Sequence, residues 1–400
     1  MHIYPDAKAV VSDLSPDQAV ILNRPHAALR AARFFIEKFP GKVLYAVKAN
    51  PSADLLKVLW DAGVQHYDVA SIAEVRQTRA TLPEAELCYM HPVKASRAIA
   101  EAYHQHGVRT FALDTAEELA NIVEACRDEY GNPASDLRLC VRLRVSSEFS
   151  ELSLASKFGC DLLDAPALLQ EARQHCDWLA VCFHVGSQAM SPFAFVQALD
   201  RTRAAIAEAS VVIDMIDVGG GFPSIYPELE PPPLEDYFAI IAKHFEALPI
   251  AYNAELWCEP GRALCAEYSS LLVKVERRRG EELFINDGAY GALYDAAHVD
   301  WRFPVNKIGG DVHQPRVDFA FYGPTCDDAD YMQGPFPLPQ DIKAGDYIEV
   351  GMIGAYGAAM KTDFNGFGEA KQVIVADEPM ASLYDGSRSR PDADNVVNLR

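Results

Sequence analysis

The sequence predicts an α/β plus β protein, an N-terminal (β/α)8 barrel followed by an antiparallel β domain, and three observations predict it. From about residue 26, stretches with apolar residues recurring every three or four positions alternate with short β-branched runs, the pattern of parallel strands joined by crossover helices. Eight such runs precede residue 259, the number that closes a barrel. Beyond about Arg262 the helical period disappears, and short apolar runs follow one another between Gly, Pro and Asp turns, which reads as antiparallel sheet. A chain of 400 residues also exceeds what one hydrophobic core usually supports.

In chain order, residues 1–26 carry Pro5, Pro16 and Pro25 and read as an irregular lead-in that packs on the β domain. The barrel spans 27–258. Its strands are expected at Val43–Lys48, His66–Ala70, Glu86–Met90, Thr110–Leu113, Leu137–Val145, Leu179–His184, Met215–Val218 and Glu255–Cys258. The β domain spans 259–385, with strands at Ser270–Val275, Glu282–Asn286, Val317–Phe321, Tyr347–Val350 and Gln372–Val375. Residues 386–400 are polar and read as a flexible tail.

In such a barrel every strand's carboxyl end faces one mouth, where active sites are built. Polar residues end the strands here: Lys48, Asp68, His91, Asp114, Arg144, His184, Gly219 to Gly221 and Glu259. Lys48 closes the apolar run Val43 to Val47 and is stopped by Asn50-Pro51. A lysine at a strand end commonly snorkels to water, but a desolvated one has a lowered pKa and forms Schiff bases. Asp217 to Pro223 contains three glycines, which let backbone amides approach an anion closely. Arg262, in Glu259-Pro260-Gly261-Arg262, lies at the next strand's end and suits bidentate phosphate contact. His184 has a hydroxyl three residues on, Ser187. An amine, a phosphate corner, a flat imidazole to stack on a ring and a carboxylate for a pyridinium nitrogen are what pyridoxal phosphate chemistry requires.

Composition narrows the function classes. Half the residues are hydrophobic and 23% charged, as in soluble enzymes, and the net charge of -21 repels nucleic acid while drawing in a cationic small molecule. No apolar run reaches membrane-spanning length, and the N-terminus lacks a signal-peptide pattern, so no membrane partner and a cytoplasmic location are expected. Nine scattered cysteines without a C-x-x-C pair read as free thiols in a reducing compartment, and the histidines show no metal spacing.

Ten stretches stand in an order that identifies a family: YAVKANP, DVASIAEV, HVGSQ, DVGGGFP, EPGRA, NDGAYG, LYDAAHV, GPTCDDAD, GAYG and FNGF. Across about residues 26–370 the chain resembles the alanine-racemase-fold (fold type III) pyridoxal-phosphate decarboxylases of basic amino acids, ornithine decarboxylases above all. The resemblance implies that Lys48 carries the cofactor, with Asp68 and Glu74 around it, Arg144 on the pyridine side and His184 on the ring face. Ser187, Gly219, Gly220, Gly221, Gly261, Arg262 and Tyr356 would hold the phosphate, and Glu259 would keep the ring nitrogen protonated. Cys326 would return a proton to the α-carbon, and Asp327 and Asp295 would meet the substrate's distal amine, with Tyr290 and Tyr294 beside it. Cys326 and Asp327 reach a neighbouring subunit's pocket in that family, which implies a homodimer with shared sites, making putrescine from ornithine for polyamine biosynthesis.

Two departures bear on substrate. The segment between NDGAYG and LYD is shorter than in eukaryotic ornithine decarboxylases, which leaves Asp295's reach and the pocket length open to lysine, arginine or another diamino acid. Cys326 is followed by Asp327 rather than the Glu-Ser of the diaminopimelate branch, which favours a cationic side-chain terminus. A racemase would need a second base on the opposite ring face. A catalytically inactive regulatory homologue would have no need of Lys48, Cys326 and the phosphate corner together.

Overall fold

The structure, a computed structural model, describes residues 2–145, 148–299, 301–309 and 314–384. The expected tail at 386–400 lies outside the described residues. Residues 2–26, expected to be irregular, form regular elements. Strand β1 (Ile3–Tyr4) leads into a helix, Ala7–Leu14, whose first turn is capped by Asp6 accepting from the Ala9 N–H at 2.8 Å, and then into β2 (Val20–Asn23). The prolines sit between these elements or, like Pro25, at the first position of the next helix, where a missing N–H costs nothing.

The barrel strands are β3 (Lys42–Ala46), β4 (His66–Val69), β5 (Glu86–Tyr89), β6 (Thr110–Leu113) and β7 (Arg138–Arg142), then, after β8 (Ser150–Leu152), β9 (Trp178–Cys182). After β10 (Ser187–Ala189), β11 (Met215–Asp217) and β12 (Glu255–Cys258) complete it. All eight barrel pairings are parallel and β12 closes on β3, while β8 and β10 pair with each other as a small antiparallel ribbon. Side chains alternate along each strand. One set, including Leu44, Cys88, Ala112, Cys140, Ala180, Cys182, Met215 and Trp257, fills the lumen, and the other packs under the helices. The lumen parity, continued to the carboxyl ends, brings Lys48, Asp68, Arg142, His184, Asp217 and Glu259 to the mouth. Among the described residues no helix is long and apolar enough to cross a membrane.

The second unit is a sheet of β13 (Ser269–Arg279), β14 (Glu282–Ile285), β15 (Val305–Lys307), β16 (Arg316–Tyr322), β17 (Tyr331–Pro339), β18 (Tyr347–Val350) and β19 (Lys371–Val375), joined by β1 and β2. It is antiparallel apart from the pairs β1/β19, β19/β2 and β14/β16. β17, which the sequence reading did not anticipate, contains three prolines and a glycine. It lies at the sheet's edge, where a missing N–H removes no ladder bond. β2 lies inside the sheet between β13 and β19. Next to it the buried Arg24 bonds Ser270 at 2.7 Å, Glu349 at 2.8 Å and Asp377 at 2.9 Å, three groups from the far end of the sequence.

Candidate active site

At the barrel mouth lies a cavity of about 220 Å³, lined by Lys48, Asp68, Arg142, His184, Ser187, Gly220, Gly221, Glu259, Gly261, Arg262 and Tyr356. β3 ends at Ala46, and a single 3-10 turn, Val47–Ala49, presents Lys48. Its ammonium bonds Asp68 Oδ2 at 2.7 Å. Burial is the largest single influence and lowers the lysine's pKa, but Asp68, Glu259 and Tyr356 together outweigh it, so Lys48 is held above the ordinary value. The amine freed by desolvation that the sequence reading expected is therefore corrected: the acids around this lysine keep it charged.

His184 is the opposite case. Burial, then the cations Arg142 and Lys48, lower it well below the usual range, so the ring is neutral. Its Nδ1 accepts the Gly186 N–H at 3.0 Å, which fixes the ring's orientation. Glu259 is pushed well up by burial first and then by Asp217 and Asp68.

The glycines fit a closely held anion. A Cβ on Gly219, which has φ of +67°, would lie 1.9 Å from the Phe183 carbonyl oxygen, and one on Gly221, at φ of +102°, 2.4 Å from that of Gly186. A Cβ on Gly220 would meet His184 Nε2 at 2.9 Å, and one on Gly261 would press on Ala49 Cβ at 3.0 Å. Beside this bare backbone, Arg262 is buried between the rings of Trp301 at 3.9 Å and Tyr356 at 4.9 Å. It bonds Tyr226 Oη at 3.0 Å and Asp295 Oδ2 at 3.3 Å, and its buried Nε has no hydrogen-bond partner among the described residues. A side-chain-free cradle, a cation with an unsatisfied donor, a lysine and a ring-facing histidine fit pyridoxal phosphate.

Some of the residues read from the sequence lie elsewhere. Arg144 stands two residues past the end of β7 and turns outward to Asp161 at 3.1 Å, whereas Arg142 still has the lumen parity and enters the cavity. The expectation that Arg144 stands at the cofactor is corrected on that ground, since Arg142 and not Arg144 lines the cavity. Asp295 does not line the cavity, because Arg262 holds it, and Tyr294, next to it, packs on His298 with ring centroids 4.4 Å apart. Glu74 is a helix cap: with Ser71 it closes the first turn of Ile72–Thr81, and its Oε2 accepts the Ala70 N–H at 2.6 Å, bracing the end of β4. Asp114 accepts the Gly159 N–H at 2.8 Å, and His91 lines the cavity against Phe158.

Cys326 and Asp327 occupy a separate, open groove in the β domain. Cys326 is exposed and its N–H bonds Asn365 Oδ1 at 3.1 Å, while Asp327 accepts from the Tyr290 hydroxyl at 2.5 Å. The buried Asp330 organises the loop by accepting from the Ala289 N–H at 2.7 Å and from the Thr325 N–H at 3.0 Å and hydroxyl at 2.8 Å. A Cβ on either Gly288 or Gly323 would come within 2.1 Å of that carboxylate, so NDGAYG and GPTCDDAD are two halves of one mount. Sequence reasoning missed Asp330, Arg142, Tyr226, Trp301, Asp217 and the cavity-covering Leu154, Lys157 and Phe158. The long non-periodic interval between β7 and the helix Ala165–Arg173 was the available signal for the last three.

Residues 26–266 match the family model for the pyridoxal binding domain of pyridoxal-dependent decarboxylases. The lysine/ornithine decarboxylase of Selenomonas ruminantium is 31% identical over 353 residues, 84% of this chain and 84% of that protein. Among solved structures, the arginine decarboxylase of Paramecium bursaria Chlorella virus, bound to agmatine, superposes with a TM-score of 0.80 at 25% identity over 91% of this chain and 98% of its own. The lysine/ornithine decarboxylase of Vibrio vulnificus, complexed with putrescine, gives a TM-score of 0.77 at 27% identity over 92% and 97%. Since the family model covers every barrel strand, and the relatives extend the match across the β domain, the chain belongs to the pyridoxal-dependent decarboxylases, with pyridoxal phosphate as its cofactor.

Proposed function

We propose that this decarboxylase acts on L-ornithine, releasing carbon dioxide and putrescine for polyamine biosynthesis, as a cytoplasmic homodimer whose sites each combine one protomer's barrel with its partner's β domain. The observation that carries this reading is the division of the machinery between two hollows of one chain. Lys48, His184, Glu259 and Arg262 share the barrel cavity, and Cys326 and Asp327 stand exposed in the β-domain groove. Two-fold pairing would set each groove against the other cavity. The eight buried free cysteines and the one exposed support a reducing compartment.

Bound pyridoxal phosphate would supply an electron sink for the carbon that loses carbon dioxide. Lys48 would anchor it, the neutral His184 would stack on its ring, and Arg262 with Ser187, Tyr356 and the glycines would hold its phosphate. Glu259 would face the ring nitrogen, beside Asp68 and Arg142. Cys326 would deliver the proton that replaces the carboxylate. Asp327, already held by Tyr290, would pair with the distal ammonium, a charge that costs several kcal/mol to bury alone.

Lysine is the second reading, favoured by one observation: Asp295 is committed to Arg262 rather than to the cavity, which leaves the second carboxylate contact unmade. The relatives named as lysine/ornithine decarboxylases stand beside that reading. Purified protein with pyridoxal phosphate, incubated separately with ornithine, lysine, arginine and diaminopimelate, decides by the amine formed. Putrescine at the highest kcat/KM is expected, and a preference for lysine overturns ornithine as the substrate.

A further inference from the structure

At the cavity two buried carboxyls stand at the ends of adjacent barrel strands. Asp217, on β11, is 0% exposed, and Glu259, following β12, is 8% exposed. β11 and β12 are paired neighbours with Asp217 opposite Trp257, so Glu259, two residues on, stands diagonally from Asp217 on the adjacent strand with the same lumen parity. Gly219 ties them together, its N–H donating to Asp217 Oδ1 at 2.8 Å and its carbonyl accepting the Glu259 N–H at 2.8 Å. Asp217 Oδ2 and Glu259 Oε1 are both buried and have no hydrogen-bond partner among the described residues.

A structural role for Asp217, holding the Gly219 turn, uses only Oδ1. It leaves Oδ2 orphaned inside a lumen otherwise filled by apolar and thiol side chains, which is costly for an acceptor and more so for a charge. Two ionised carboxylates buried side by side on adjacent strands repel, and the general resolution is one proton shared by both.

Resting on Glu259 as the group that faces the ring nitrogen, we propose that Asp217 is its positioning residue. One proton bridges Asp217 Oδ2 and Glu259 Oε1, orients the Glu259 carboxyl, and leaves a single negative charge beneath the cavity. The groups around the pair are consistent with one charge rather than two: burial raises the Cys140, Cys88 and Cys258 thiols, which stay neutral, and Asp68 and Lys48 form their own ion pair across the mouth. Burial first, then Cys182, raises the Asp217 carboxyl far above the aspartate range, in the same direction.

The test uses cofactor-free full-length protein near neutral pH. The infrared difference spectrum between wild type and Asp217→Asn should contain the carbonyl stretch of one protonated carboxyl, and Glu259→Gln should lose the same band. A wild type without that band, or its persistence in Asp217→Asn, overturns the proposal. A second readout is the ring-nitrogen shift of bound 15N-labelled pyridoxal phosphate. Asp217→Asn, which still donates to Glu259, should leave the nitrogen protonated and the cofactor affinity within about threefold. Asp217→Ala should lower both the protonated fraction and, by roughly tenfold, the affinity. Equal behaviour of the Asn and Ala variants would reduce Asp217 to a structural residue. If Asp217→Ala does not fold, the infrared comparison decides. No amino acid substrate enters either measurement, so a different substrate, or none, leaves the outcome untouched.

Discussion

At Lys48 two opposing effects meet, and distance decides between them. Burial disfavours the ammonium, but an opposite charge at 2.7 Å, Asp68, is worth several kcal/mol even at the effective dielectric of a partly open site. The residue was legible in the sequence because an apolar run stopped by Asn-Pro can place it nowhere but a strand's end. Its charge state was not, since the acids responsible come from other strands. The two arginines of β7's end make the same point. Arg142 and Arg144 share a parity, and only the place where the strand stops determines which one still points into the lumen. Arg142→Ala should therefore weaken pyridoxal phosphate binding by about tenfold or more, as the loss of a charge-assisted contact does, while Arg144→Ala, removing an exposed pair, should change it by less than about twofold. Fluorescence titration of the two apo variants distinguishes them. Equal losses would mean that both arginines serve the site.

Among elements, the barrel strands were readable to within a residue or two, as at Thr110–Leu113 and Glu255–Cys258, because each is a short β-branched or apolar run bounded by turn residues, except that β7 ends three residues before the expected Val145. The sheet was less so. β17 hides behind its prolines, and β1 and β2 are too short and too distant from their partners for any local pattern to place them. The turn after β11 carried its meaning openly, since three consecutive glycines admit few structural roles. Gly220 has no left-handed φ, so alanine there is opposed by contact and not by backbone strain: the new methyl would stand 2.9 Å from His184 Nε2 and 2.8 Å from the Glu259 carbonyl oxygen. Gly220→Ala should keep the fold, with far-ultraviolet circular dichroism unchanged, yet lower cofactor affinity by about tenfold as His184 is displaced. Unaltered affinity would show that the ring has room to give way.

For the whole molecule, activity should depend on two chains. Lys48→Ala and Cys326→Ala proteins, each inactive alone, should recover up to about a quarter of wild-type activity when mixed under conditions of subunit exchange, the statistical share of sites that receive both intact halves. No recovery despite demonstrated exchange would place both residues in one protomer's site. The interior position of β2 has a further consequence, for the order in which the protein can be made. The Val20-Ile21-Leu22 stretch leaves the ribosome early, but its partners on either side, Ser269–Leu272 and Lys371–Ile374, follow some 250 and 350 residues later. At translation rates of about 5–20 residues per second, this apolar strand waits tens of seconds with both edges bare while the barrel folds behind it. The final pairing of β2 therefore waits for β19 to be made, and until then its bare edges are open to pairing with other chains.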